Sequence, residues 1–308
     1  MDQIRIFSPA TVANVSCGYD AMAFALDTLG DEMVFRKITE PVVRISKITG
    51  ADLPYEANKN AAGVVAMAML QESEASFGVE MEIHKKYKPG SGLGSSAASS
   101  AGAAFALNHF LDNAYSQLDL LRFAMMGEEA ACGSAIADNV AGALYGGFVL
   151  IRSYDPLEVV SIPVPGELYA TIIHPQIEVN TEDARKVLPK EIPIRTATTQ
   201  WANVGGLISG LFTDDYDLIG RSLVDHVAEP HRKQFIPHFD ELIDAARASG
   251  ALGAGISGSG PSVFAFSKGK TNAMNVETAF DNVYKDSGIE YHIYTSGIGQ
   301  RGVRLIDD

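Results

Sequence analysis

The chain has 308 residues, of which 46% are hydrophobic and 20% charged, and a formal net charge of −14. That length allows one or two domains with a sizeable core, and the composition is that of a water-soluble globular protein. The acidic balance argues against nucleic acid or an anionic membrane as a general partner, although a local anion cradle can outweigh a distant, screened surface field. No apolar run reaches the length of a membrane span, and Met1-Asp2-Gln3-Ile4-Arg5 lacks the layout of a signal peptide. The two cysteines, Cys17 and Cys132, make no disulfide framework and point to a reducing, cytoplasmic setting.

In chain order, Ile4 to Ser8 reads as a strand stopped by Pro9. Asn14, Gly18 and Asp20 have turn chemistry, and Asp20 opens an apolar run to Leu26, where a carboxylate needs a partner or water. Val34 to Ile48 reads as one or two strands, and Asn60 stands where a cap would precede a helical run through Val64, Val65, Met67 and Leu70. Val79, Met81 and Ile83 alternate with Glu80, Glu82 and His84, the period of a half-buried strand.

The stretch Pro89-Gly90-Ser91-Gly92-Leu93-Gly94-Ser95-Ser96-Ala97-Ala98 follows, then a small-residue run bearing Phe105, Leu107, Phe110 and Leu111. The glycines therefore lie in a strand-to-helix connection, with Ser95 or Ser96 as the helix cap. Such a loop brings backbone close to an anion, aims N–H groups at it and adds the positive end of the helix dipole. It is neither of two common phosphate loops. A P-loop needs Lys and then Ser or Thr after its last glycine, and a Rossmann turn needs a third glycine where Ser95 stands. Lys85, Lys86 and Lys88 flank the loop and read as a solvated strand end rather than as phosphate ligands.

Ser116 and Asp119 have the spacing of a capping box, opening a helix through Leu118, Leu121, Met125 and Ala130 with Glu128 and Glu129 near its end. Asp138-Asn139 alone is only turn-like, and a strand begins after Gly147. Leu157 to Val164 and Leu168 to His174 read as strands, and the change near Pro163 to Gly166 divides the chain into domains of residues 1–163 and 164–308. Thr181 opens a short helix carrying Arg185; longer helices run from Thr198 to Phe212, from Leu218 to Val227 and through Phe239 to Ala246. Gly253, Gly255 and Gly258 satisfy the pattern of a dinucleotide fingerprint, but Pro261 and the alternating residues after it announce a strand instead of a helix. A last helix spans Thr271 to Tyr284 and a closing strand Tyr291 to Tyr294.

Gly92 to Ala97 resembles, without a gap, the phosphate-binding motif of the GHMP kinases. The likeness continues in blocks from Phe7 to Ser267 and narrows to the homoserine kinases of that family. Pro9-Ala10-Thr11-Val12-Ala13-Asn14 with Gly18-Tyr19-Asp20 resembles their first motif, and Asp138-Asn139-Val140-Ala141 with Gly146-Gly147 a later one. Two positions depart from it: Ile136 stands in place of a histidine and Gly142 in place of a proline.

The resemblance implies an α+β, two-domain GHMP kinase fold, with an N-terminal ribosomal-protein-S5-like domain and a C-terminal ferredoxin-like domain. It implies transfer of the ATP γ-phosphoryl group to the side-chain hydroxyl of L-homoserine, in threonine biosynthesis. ATP would lie on Pro89, Gly90, Ser91, Gly92, Leu93, Gly94, Ser95 and Ser96, with Asn60 either beside the adenine or serving as a plain cap. Mg2+ would take Glu128 and the hydroxyl of Ser96 or Ser95, since magnesium needs few protein oxygens when phosphates supply the rest. Asn14, Asp20, Thr181, Arg185 and Arg232 would hold the acceptor: an amino acid needs an anion for its ammonium and a fork for its carboxylate. Asn139, Asp138 and Glu128 form the catalytic set, and a shift of one residue between Asp138 and Asn139 decides whether a general base exists. The glycine cluster at 253–260 would pack on the phosphate loop. The family implies a homodimer. Another small-molecule kinase of the family, or a non-catalytic ATP and metabolite sensor, remain the alternatives.

Overall fold

Alternating apolar residues draw the first half of the chain into a sheet with helices on one face. The computed structural model describes residues 2–179 and 181–306, without the side chains of residues 181 and 182. In order, this half contains β1 (Gln3–Ala13), β2 (Met22–Ile38), β3 (Val43–Thr49), α1 (Ala61–Glu72), β4 (Gly78–His84), α2 (Ser95–Phe110), α3 (Gln117–Cys132), α4 (Asp138–Tyr145), β5 (Phe148–Tyr154) and β6 (Leu157–Ile162). β1 continues past Pro9, because a register shift between Pro9 and Thr11 absorbs the missing N–H. β2 is also longer than its sequence reads. Gly30 sits inside it because a Cβ there would strike the Phe7 ring and the Ser8 carbonyl. β3 pairs parallel with β4 while β1, β2, β4 and β5 pair antiparallel, and α1 to α4 cover one face over Ile6, Met33, Phe35, Met81, Leu107 and Leu121.

The second half contributes β7 (Leu168–Pro175), α5 (Thr181–Lys186), α6 (Ile194–Thr213), α7 (Tyr216–Ser222), α8 (Glu229–Arg232), α9 (Phe239–Ala248), β8 (Ala251–Ile256), β9 (Val263–Lys268), α10 (Lys270–Tyr284), β10 (Tyr291–Gly297) and β11 (Arg304–Leu305). Helix α7 ends at Ser222, short of the expected Val227, because the Asp225 carboxylate accepts the N–H groups of Val227 and Glu229 at 2.8 Å and starts α8 instead. β7 to β10 form an antiparallel sheet in the order β10-β7-β9-β8, with α9 and α10 on its outer face over Leu242, Val276, Phe280 and Tyr284. Its inner face meets the first sheet. Phe24 and Phe148 interlock with Phe264 and Phe266 at ring separations of 5.0–5.9 Å, an arrangement that adds to simple area burial. The layers thus run helix, sheet, sheet, helix.

The chain changes sheet between Ile162 and Leu168, passing from β6 of the first sheet to β7 of the second. After β10 it returns to the first sheet: Gly147 N–H donates to Gly299 O at 2.7 Å, Val303 N–H to Ala143 O at 2.8 Å, and β11 pairs with β1. Among the described residues no helix is long and apolar enough to cross a membrane.

One buried charge pair ties these layers to the glycine loop. Lys85 was expected to be solvated along with Lys86 and Lys88; those two are exposed, but Lys85 is not. Its ammonium pairs with Asp31 of β2, both side chains fully buried, and donates to Ser95 O at 2.7 Å and Ser99 Oγ at 3.2 Å in the first turns of α2. The remaining Asp31 oxygen accepts the Lys86 N–H at 3.0 Å. A charge left alone at this depth is costly, so Lys85→Met should lose about 3–5 kcal/mol of unfolding free energy in urea. Combining it with Asp31→Leu should restore most of that loss. A single variant within about 1 kcal/mol of the parent would show that the pair does not hold α2 in place.

Candidate active site

A cleft of about 560 Å3 opens where the β1–β2 turn, the 89–94 loop and the 257–260 loop meet. Its wall brings together Asn14, Asp20, Asn60, Glu128, Asp138, Asn139, Arg185 and Arg232 with Pro89 to Gly92 and Gly94 to Ser96. One of the expected residues stands apart. Leu93 turns its side chain into the core between the sheets and is fully buried, so only its backbone serves the loop. The side chain of Thr181 lies outside the described residues.

The loop keeps its shape through glycines that nothing else could replace. Gly90, Gly92 and Gly94 have φ of +74°, +77° and +64°, in the left-handed region. A Cβ on Gly92 would lie 2.5 Å from Ser257 O and 2.7 Å from Gly260 O, and one on Gly94 would collide with Thr11 Oγ1. The second glycine loop packs directly on the first: Ser257 Oγ donates to Gly92 O at 2.6 Å and Ser262 N–H to Ser91 O at 3.3 Å. Neither Ser95 nor Ser96 caps α2. Gly94 takes the cap position without a side-chain bond, which leaves the serines inside the first turn and on the cleft wall. Asn60 does cap α1, accepting Ala62 N–H at 3.1 Å and donating to Pro54 O at 3.0 Å, while also bordering the cleft.

The other end of the cleft is built on a strained turn. Asn14, Val15, Ser16 and Asp20 all have positive φ, costly for residues with a Cβ and above all for β-branched Val15. The Asn14 amide holds this turn at both ends, accepting Asp20 N–H at 2.9 Å and donating to Gly258 O at 2.8 Å. Asp20 then lies 3.6 Å from Arg185 Nη2. Arg232 is buried, donates from Nε to Ala184 O and from Nη1 to Gly258 O, both at 3.0 Å, and stacks over Tyr19. It braces the helix that carries Arg185 as well as facing the cleft.

Three acids crowd this wall. Glu128 is buried because Gly127 lets α3 sink against α1 and α2, where a Cβ would meet Ser100 Oγ and the Ala61 carbonyl. Desolvation raises the Glu128 carboxyl from 4.5 to about 7, against the pull of the Ser96 hydroxyl and the Lys85 ammonium. Its Oε1 is buried with no hydrogen-bond partner among the described residues. An orphaned carboxylate oxygen next to a serine hydroxyl fits a hard divalent cation, which needs oxygen donors and few of them from protein. Asp138 is likewise raised from 3.8 to about 7, by burial first and then by the charge of Asp20, while the Asn139 N–H it accepts at 2.7 Å pulls the other way.

Residues that sequence reasoning passed over brace the wall from behind. Thr11 Oγ1 donates to Asn139 Oδ1 at 2.7 Å and so turns the Asn139 amide nitrogen toward the cleft. Its signal was a hydroxyl in an apolar strand. Tyr154 donates to the Asp20 carbonyl and accepts the Ala137 N–H, each at 3.3 Å, joining the turn to the start of α4; nothing local marks it.

Comparison with known proteins agrees with this arrangement. The model of the GHMP kinases N terminal domain matches residues 60–147, and that of the GHMP kinases C terminal domain residues 207–286. A curated homoserine kinase of Chlorobium phaeobacteroides is 44% identical over 99% of this chain and 100% of its own. The crystal structure of homoserine kinase from Cytophaga hutchinsonii superposes with a TM-score of 0.96 at 50% identity, covering 99% of this chain and 98% of that one. The crystal structure of L. major mevalonate kinase in complex with R-mevalonate shares the fold alone, with a TM-score of 0.71 at 16% identity over 95% of each chain. The loop of left-handed glycines at the start of a helix, the buried glutamate beside it and these full-length likenesses lead to one assignment: the chain belongs to the GHMP kinase family, among the homoserine kinases.

Proposed function

We propose that this protein transfers the γ-phosphoryl group of ATP to the side-chain hydroxyl of L-homoserine, with Mg2+, in the cytoplasm and as a step of threonine biosynthesis. The observation that carries the reading is one cleft with a helix N-terminus for phosphate at one end and Asp20, Arg185 and Arg232 at the other. An ammonium suits Asp20, and a carboxylate suits the arginines. The full-length likeness to homoserine kinases supports the same acceptor.

Phosphoryl transfer asks chiefly for position and charge neutralisation. The N–H groups at the start of α2 receive phosphate oxygens, and Asn60 borders the nucleotide end. Glu128 and the Ser96 hydroxyl would hold Mg2+, which would neutralise charge on the phosphates. Asn139, its oxygen held by Thr11, donates from the amide nitrogen to the acceptor hydroxyl. Asp138 is the neighbour able to take the hydroxyl proton, because burial holds it near neutrality, where a base is best matched to the medium.

Gly94→Val should abolish nucleotide binding in calorimetry while the fold persists, since the new side chain displaces Thr11 and with it Asn139. Unchanged ATP affinity in a folded variant would place the phosphates elsewhere. Arg185→Met should raise KM for homoserine by roughly 30-fold, the equivalent of about 2 kcal/mol, with KM for ATP nearly fixed. Equal losses for both substrates would move Arg185 out of the acceptor end.

Glu128 and Asp138 hold protons in the folded protein up to about pH 7, whereas the unfolded chain releases them near its ordinary values of 4.5 and 3.8. The folded state therefore binds more protons between those limits, and stability of the ligand-free protein falls as pH rises through them. Urea midpoints should be higher at pH 5 than at pH 7.5. Binding of Mg2+ and nucleotide at pH 6.5 should release protons, seen by calorimetry in buffers of different ionisation enthalpy, and fewer in Glu128→Gln.

A further inference from the structure

Cys132 has no part in phosphoryl transfer as described, yet its thiol is on the wall of the same cleft. It is the last residue of α3, one turn beyond Glu128, and the spacing of four puts both side chains on one face of the helix. Across from them stands Ser96 in the first turn of α2, its Oγ 3.7 Å from Cys132 Sγ. The cysteine is exposed, whereas Glu128 is 7% exposed and keeps its unpartnered Oε1 at this spot. A carboxylate, a hydroxyl and a thiol thus converge from two helices. A hard cation has use for the two oxygens and none for the sulfur, while a soft one gains most from the sulfur.

We propose that Cys132, Glu128 and Ser96 form a binding site for a thiophilic divalent cation of the Zn2+ or Cd2+ class. On binding, the Cys132 S–H bond breaks and a sulfur–metal bond forms, a Glu128 oxygen binds the ion after its carboxyl gives up any proton it holds, the protons go to solvent, and the two donors displace two waters of the hydrated ion. No electrons are transferred. Among the described residues no cluster of three or more His, Cys, Asp or Glu could hold a metal, so water or nucleotide phosphate completes the coordination. Competition with Mg2+ follows if Glu128 also holds magnesium, and that part rests on the functional reading above.

The test is titration of the full chain with Cd2+, followed by the ultraviolet thiolate-to-cadmium charge-transfer band. The parent should show one saturable band, retained in Cys17→Ser because Cys17 is buried away from the cleft. Cys132→Ser should lose the band, and Glu128→Gln should bind Cd2+ at least about tenfold more weakly. Excess Mg2+ with ATP should weaken the band in the parent. No band in the parent, or its persistence in Cys132→Ser, overturns the proposal. A band that depends on Cys132 and Glu128 but ignores Mg2+ supports the thiophilic site and removes magnesium from Glu128.

Discussion

The site depends on backbone meeting backbone without a side chain between them. Gly92 lies against Ser257 and Gly260 so closely that a single methyl group would part them, and Asn14 and Arg232 both fasten onto Gly258. Three segments far apart in sequence are locked here: the β1–β2 turn, the loop before α2 and the loop between β8 and β9. The aromatic packing of Phe24, Phe148, Phe264 and Phe266 fixes the two sheets on which these loops stand. Shape at the cleft is thus set by the sheet contact, and chemistry by what the loops then present.

Its electrostatics are unfinished without ligands. Lys85, which reaches the turn that follows the phosphate loop, is committed to Asp31 and to the first turns of α2, so it steadies the helix more than it balances the cleft. Asp20, Glu128 and Asp138 share one wall; burial pushes the Glu128 carboxyl up to about 7, and burial with the charges of Asp20 and Glu128 does the same for Asp138. Such an arrangement favours whatever brings positive charge: a divalent cation at one end and an ammonium at the other. Bound cations would relieve that crowding of acids.

Local signals carried well from the sequence. The alternation at 79–83 became β4, the Ser116–Asp119 box opens α3 with both of its bonds, and the glycines at 90–94 lie between strand and helix as their spacing implied. The candidate residues with described side chains also gather in one cleft, Leu93 aside, because the motif match tied them to one another before any fold was known. What failed to show was long-range. Nothing near Lys85 announces Asp31, and nothing near Tyr154 announces Asp20. Pro9 reads as a breaker, yet its partner strand tolerates it through a shift of register. Asp225 looked like part of a helix because only the coordinates reveal the three backbone groups that its carboxylate caps.

The return of residues 298–306 to the first sheet bears on how the chain is made. Ile298 bridges Leu26, Gly299 joins Ala25 and Gly147, Val303 joins Ala143, and β11 covers the flank of β1. All of these partners leave the ribosome long before the segment that covers them. Until it arrives, the nascent β1 carries an open row of hydrogen-bonding groups, the kind of edge that recruits other chains. Synthesis therefore proceeds with one seam unsewn, and the first sheet reaches its finished outline only when residues 298–306 are in place.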